Sequence, residues 1–230
     1  MLFLACSPEE SNTNNHGAEN NPCPAGAVDL GLSVYWATCN LSENGFVGSP
    51  EEYGDYYAWG EVETHYSSQD PLTWKPGKAG YEWTTYKWSN GSSNSLTKYN
   101  NDSSHGSVDN KTVLDTDDDV AHVKLGGNWR MPTDEEWSEL ITKCTSIWTS
   151  QNGVYGRKVT GTNGNSIFLP AAGWWSHADI THTGTDGLYW SSSLNTEIPN
   201  TAWRAYFTSE DIKNHYAGRH YGLSIRPVTK

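Results

Sequence analysis

The stretch Trp174-Trp175-Ser176-His177-Ala178-Asp179-Ile180-Thr181-His182 holds a serine, two histidines and an aspartate. Those types can run nucleophilic catalysis, in which a histidine takes the serine proton and an aspartate orients the histidine. No Gly-x-Ser-x-Gly turn is present to push the serine forward. The stretch reads instead as a solvated loop whose two tryptophans offer rings for ligand stacking. A second concentration of chemistry is Asp115, Asp117, Asp118 and Asp119. It lacks the Asp-x-Asp-x-Asp-Gly spacing of a calcium loop. Carboxylates that open a short helix answer the positive end of its dipole, so no metal is assigned to them. Neither a Cys/His ligand spacing for zinc nor a phosphate-binding glycine loop occurs. No cofactor is expected.

The segment Leu194 to Tyr221 is rich in Tyr, Ser, Asn, His and Arg. These types bind well with modest loss of rotamer freedom. Trp174, Trp175, Arg204, Tyr206, His215, Tyr216, Arg219 and Tyr221 are the candidate contact residues. The competing reading is a polar strand–loop–strand that closes a sheet. Strand alternation lets only about half of each strand face outward, so some of these candidates must face the interior. Arg130 and Arg226 sit within apolar motifs and read as hydrogen-bonded structural arginines.

The elements that position these residues follow from pattern. Thr133-Asp134-Glu135-Glu136 is a capping box after Pro132. Trp137, Leu140, Ile141 and Cys144 then recur at helical spacing and define one apolar face. A shorter helix is expected from Asp117 to about Lys124, with Thr116 as cap and Gly126-Gly127 as stop. Val154–Thr160 and Ser166–Leu169 flank Gly161-Thr162-Asn163-Gly164, a hairpin signal. Leu188–Ser193, Ala202–Phe207 and Gly222–Val228 read as further strands, as do 27–39 and 53–62. Residues 63 to 112 show little periodicity, and Trp74, Trp83 and Trp88 are expected to pin them as a long ordered loop. Helices in the middle and strands at both ends indicate an α+β fold.

The formal net charge is −12 over 230 residues. It favours solubility, and without a basic stripe it excludes nucleic acid as a partner. Twelve Trp and thirteen Tyr against four Phe mark a chain whose rings carry polar handles, suited to hydrogen-bonded cores and to binding surfaces.

The chain opens Met1-Leu2-Phe3-Leu4-Ala5-Cys6. This resembles the cleavage point of a bacterial lipoprotein signal, with Phe3 where leucine is usual and most of the apolar run missing. The resemblance implies lipidation at Cys6 and a membrane association through that anchor only. Residues 7–26 lack large apolar side chains and read as a disordered tether. Glu9-Glu10 resembles the export signal of surface-exposed lipoproteins, which implies an outer-membrane, cell-surface location. The expected organisation is thus 1–6 signal remnant, 7–26 tether and 27–230 one domain. Cys23, Cys39 and Cys144 leave at most one disulfide, and the sequence does not choose its pair.

Six ordered motifs carry a wider resemblance. They are Val28-Asp29-Leu30-Gly31-Leu32 with Trp36-Ala37-Thr38-Cys39; Tyr53-Gly54-Asp55-Tyr56-Tyr57-Ala58-Trp59-Gly60-Glu61; Trp129-Arg130-Met131-Pro132-Thr133 with Glu136-Trp137; Phe168-Leu169-Pro170-Ala171-Ala172-Gly173; Tyr189-Trp190-Ser191-Ser192-Ser193; and Gly222-Leu223-Ser224-Ile225-Arg226-Pro227-Val228. Together they resemble the Fib-succ-major paralogous domain of secreted bacterial lipoproteins, itself similar to the formylglycine-generating-enzyme-like branch of the C-type lectin fold. The resemblance implies a C-type-lectin-like domain, with few helices packed on short antiparallel sheets and long ordered loops. The same fold carries the variable proteins of diversity-generating retroelements, which would place a diversified ligand face within Leu194 to Tyr221. The formylglycine-generating enzymes use late cysteines, and nothing after Cys144 supplies one. The motifs of calcium-dependent sugar lectins are broken at Ile198 and absent at Trp203-Arg204-Ala205. The expectation is a surface protein that binds a protein or glycan and is not an enzyme. The alternatives are an enzyme of altered chemistry in the formylglycine-generating group and a structural or fimbria-associated surface module.

Overall fold

The computed structural model describes residues 25–230; Cys6, Cys23, the tether and the signal remnant lie outside the described residues. In chain order the elements are β1 (Ala27–Val28), β2 (Tyr35–Ala37), β3 (Leu41–Ser42), β4 (Gly45–Phe46), β5 (Tyr66–Gln69), β6 (Leu72–Trp74), α1 (Val120–Leu125), α2 (Asp134–Lys143), β7 (Thr145–Gln151) and β8 (Val154–Thr160). There follow β9 (Ser166–Pro170), β10 (Trp174–Ser176), β11 (Asp179–Thr181), β12 (Gly187–Leu194), β13 (Thr201–Phe207), β14 (Ile212–Gly218) and β15 (Val228–Thr229).

The α+β, C-type-lectin-like architecture expected from the sequence is corrected. Strand makes up 37% and helix 11% of the structure, in short strands and small sheets. The chain is mostly β. The helical periodicity of 134–144 is real, but it describes one helix of ten residues. Two polar strands with no apolar alternation, β7 and β14, escaped the pattern reading.

The strong local signals do form. Thr133 Oγ1 accepts from the Glu136 N–H and Glu136 Oε2 accepts from the Thr133 N–H, which closes the capping box. Trp137 and Leu140 are the buried side of α2, and Cys144 is its C-cap rather than part of its apolar face. The shorter helix starts later than expected. Thr116–Asp118 is a 3-10 turn, and the cap of α1 is Asp119, whose Oδ1 accepts from the N–H groups of Ala121 and His122. A carboxylate that reaches two N–H groups displaces the threonine from that role. The β8–β9 hairpin pairs in the expected register, Thr160 opposite Ser166. Gly222–Val228 forms isolated bridges, with only Val228 in a regular strand.

The sheet β12–β13–β14 divides the interior. All of β12 is buried. Its Leu188, Trp190 and Leu194 join one core cluster with Trp59, Tyr99, Met131 and Ile225. Its Tyr189, with Ala205 and Phe207 of β13, joins a second with Trp36, Trp137 and Leu169. Buried on both faces, a strand must send alternate side chains to different cores. The non-periodic stretch after β6 is held by rings: Trp88 Nε1 donates to Gly60 O (2.7 Å) and Tyr86 Oη to Trp59 O (2.7 Å).

Candidate ligand face

β13 alternates because each of its sides has a different task. Ala205 and Phe207 pack toward α2, whereas Ala202 and Tyr206 pack on the cluster of Leu188 and Trp190. Arg204 lies between the latter two in the strand and shares their side. β14 pairs with β13 along its whole length, so His215 is opposite Arg204 and Lys213 opposite Tyr206. Trp174 and Tyr221 pack, half-buried, on that same cluster. The structure therefore gathers Trp174, Arg204, Tyr206 and Tyr221 on one side of the molecule.

His215 belongs to the rim. Its register places it beside Arg204, but its ring turns over the strand edge onto Tyr216 (4.9 Å between centroids), with Nδ1 at 2.9 Å from Tyr216 O. Tyr216, 38% exposed, pairs with Trp203 on the α2 side of the sheet. Two candidates are interior. Trp175 is 4% exposed among Tyr66, Trp74 and Tyr81. Arg219 is wholly buried, donating to Tyr86 Oη, Tyr99 O, Pro199 O and Lys98 O. Both are thereby corrected from contact residues to scaffold; Arg219 ties the C-terminal segment to the long loop.

Arg204 contrasts with Arg219. Only 9% of it is exposed, and its Nε and Nη1 have no hydrogen-bond partner. Its guanidinium lies over the Tyr206 ring at 4.8 Å. Burial lowers its pKa to about 10, against the opposing pull of Tyr206 and Asp186. The Tyr206 hydroxyl donates to Asp186 Oδ2 (3.0 Å), so the nearest carboxylate is engaged by the tyrosine. Lys213 reaches the same ring at 5.6 Å and is bonded to Asp211 at 2.9 Å.

Three residues of this region escaped the sequence reading. Asp186 precedes Gly187 and reads as turn chemistry only. His182 stacks on Trp174 at 4.5 Å, with planes 10° apart. His220 is 8% exposed between the rings of Trp83 and Tyr221, and its Nδ1 is unpaired. Burial, with nearby His177, lowers its pKa to about 4. Position beside Tyr221 was its one available signal.

The remaining candidates are spent elsewhere. Ser176 Oγ and His177 Nδ1 are 3.2 Å apart as exposed neighbours, and His182 is directed at Trp174. Asp118 accepts from Lys98 and the Tyr99 hydroxyl, each at 2.6 Å. Bonds from Lys111 and Lys98 hold the Asp115 carboxyl at about 2. Asp119 accepts from the Met131 N–H besides its capping bonds; burial raises its pKa. Among the described residues no group of three or more His, Cys, Asp or Glu could hold a metal ion. Cys39 and Cys144 are free thiols. Arg226 is buried and donates to Asn40 Oδ1 and three backbone carbonyls, and Arg130 pairs with Glu136; both are structural, as expected. A cavity of about 560 Å³ lies beside Asp119, His122, Trp129 and Arg130. Its charged groups already have partners, which leaves it little with which to select a ligand.

Comparison with known proteins adds one match. Residues 145–228 fit a family described as a domain of unknown function, DUF8237. That span runs from β7 to the first residue of β15 and contains Trp174, Asp186, Arg204, Tyr206 and Tyr221. No curated protein and no solved structure matches the chain. Among the described residues no helix is long and apolar enough to cross a membrane.

Proposed function

We propose that this chain is a binding protein rather than an enzyme, taking a glycan or protein ligand on the side of the sheet that carries Trp174, Arg204, Tyr206 and Tyr221, with His215 at the rim. The observation that supports it is Arg204: a guanidinium nine-tenths buried, two nitrogens unpaired, on an aromatic bed. Buried polar groups are normally paired. An unpaired one beside half-exposed rings is where a ligand supplies the missing acceptor. We further propose that lipidation at Cys6 tethers the domain to the outer surface of the outer membrane.

The test is a glycan and protein array probed with the full chain and with Arg204→Gln and Trp174→Ala. Binding should fall in both variants while far-UV circular dichroism is unchanged. A ligand that binds both variants as tightly as the parent chain would remove this face from consideration. Radiolabelled palmitate incorporation lost in Cys6→Ala tests the anchor separately.

A further inference from the structure

Resting on the ligand-face reading above, we infer that Arg204 is a carboxylate anchor and that the ligand is a sugar acid: a pyranose bearing one carboxylate, carried on an otherwise neutral glycan.

The guanidinium is held ready. It lies over the Tyr206 ring at 4.8 Å, and Tyr206 is itself fixed by the bond from its hydroxyl to Asp186 Oδ2 (3.0 Å). Stacking sets the plane of the fork, and a planar fork suits two oxygens of a carboxylate. Asp186 spends its Oδ2 on Tyr206, and Arg204 Nε and Nη1 keep no partner. Tyr206 and Asp186 are positioning residues in this scheme.

Charge narrows the ligand. Lys213 reaches the same Tyr206 ring, and His215 is the register partner of Arg204. This neighbourhood carries more cationic groups than the Asp186 and Asp211 carboxylates offset, on a chain of net charge −12. The far field of the whole protein repels a polyanion, while the local site attracts a single carboxylate at contact distance. The flanking rings add shape. Trp174, stacked with His182, and Tyr221, against His220, are half-buried. Their open apolar faces suit the flat C–H face of a pyranose. An acidic peptide offers the charge without that flat face.

The test uses three probes with the full chain: methyl β-D-glucuronide, methyl β-D-glucoside and N-acetylglutamate amide. The first two differ in a carboxylate for a hydroxymethyl group. Binding is read by titration of Trp fluorescence and by the Nε–H resonance of Arg204. The glucuronide should bind about tenfold or more tightly than the glucoside and shift the Arg204 resonance. Arg204→Gln should erase that preference, and Arg204→Lys, which keeps charge without the fork, should restore part of it. Equal binding of glucuronide and glucoside, lost in Trp174→Ala, would overturn the anchor and leave the ligand-face reading standing. Glutamate amide binding as tightly as glucuronide would overturn the sugar assignment. Glucuronide preference retained in Arg204→Gln, or no glucuronide binding at millimolar concentration, would overturn the inference whatever the array yields.

Discussion

Arg226 and Arg204 are buried to similar degrees in two regions that treat a guanidinium differently. Arg226 sits between β2 and β9, where Asn40 Oδ1 and the carbonyls of Ala37, Thr38 and Phe168 take its N–H groups at 2.8–3.0 Å. Arg204 sits on the open side of β13 with Nε and Nη1 unpaired. The first region joins distant parts of the chain and is complete in itself. The second leaves hydrogen-bonding capacity over. Buried charge is tolerated when its donors are used, so the difference separates a scaffold from a surface that expects company. The sharpest way to break the contrast is at Arg226. Arg226→Ala strands several buried acceptors and should cost about 3–5 kcal/mol, read as a lower urea midpoint. A loss below about 1 kcal/mol would mean the two arginines are equivalent.

The histidines repeat the pattern. His65 is fully buried, with Nδ1 2.7 Å from Gly80 O and Nε2 3.0 Å from Glu61 Oε2. His220 is nearly as buried but leaves Nδ1 unpaired, and its pKa falls to about 4. Neutral His220 costs nothing at pH 7, where the unfolded chain is also largely neutral. As pH falls from about 6.5 toward 4, the unfolded state binds a proton that the folded state refuses. Stability must drop across that window, by about 3 kcal/mol from this group. Thermal melts at pH 7 and pH 4.5 should show His220→Phe losing less stability on acidification than the parent chain. Identical pH dependence in the two would remove the burial argument at His220.

Legibility from sequence follows the range of the forces. The capping box of α2 and the β8–β9 turn involve residues a few positions apart, and both form as read. β12 and β13 were legible because apolar residues fill a strand buried on both faces. β14, Ile-Lys-Asn-His-Tyr-Ala-Gly, was not, because an edge strand with one exposed face needs few apolar residues. The fold class failed for a related reason: one strongly patterned helix outweighed many weak strands. At the site, residue types identified Arg204 and Tyr206 but also Arg219. The burial of Arg219 depends on carbonyls of Lys98 and Tyr99, more than a hundred positions away, which no local pattern encodes. Asp186 was hidden by the turn dipeptide it belongs to.

The α2 side of β14 supplies a smaller test of the scaffold. Asn214 Nδ2 reaches Asp134 Oδ1 at 2.8 Å and Ser138 Oγ at 2.6 Å, and so ties the edge strand to the helix. Asn214→Ala should cost about 1–2 kcal/mol in chemical denaturation. A neutral result would show that the edge strand is held by its pairing to β13 alone.

The smallest expected effect decides most about the open side. If Arg204 were scaffold, its removal would resemble that of Arg226. If its unpaired nitrogens are a standing cost, replacement by an unbranched apolar side chain removes a desolvated charge and keeps much of the packing on Tyr206. Arg204→Met should therefore leave the denaturation midpoint within about 1 kcal/mol of the parent chain, on either side of zero. The two arginines then differ in sign or size of effect although both are buried, and stability at Arg204 has been given up for something other than folding. A loss of several kcal/mol in Arg204→Met would place this arginine with Arg226 and close the face as a binding surface.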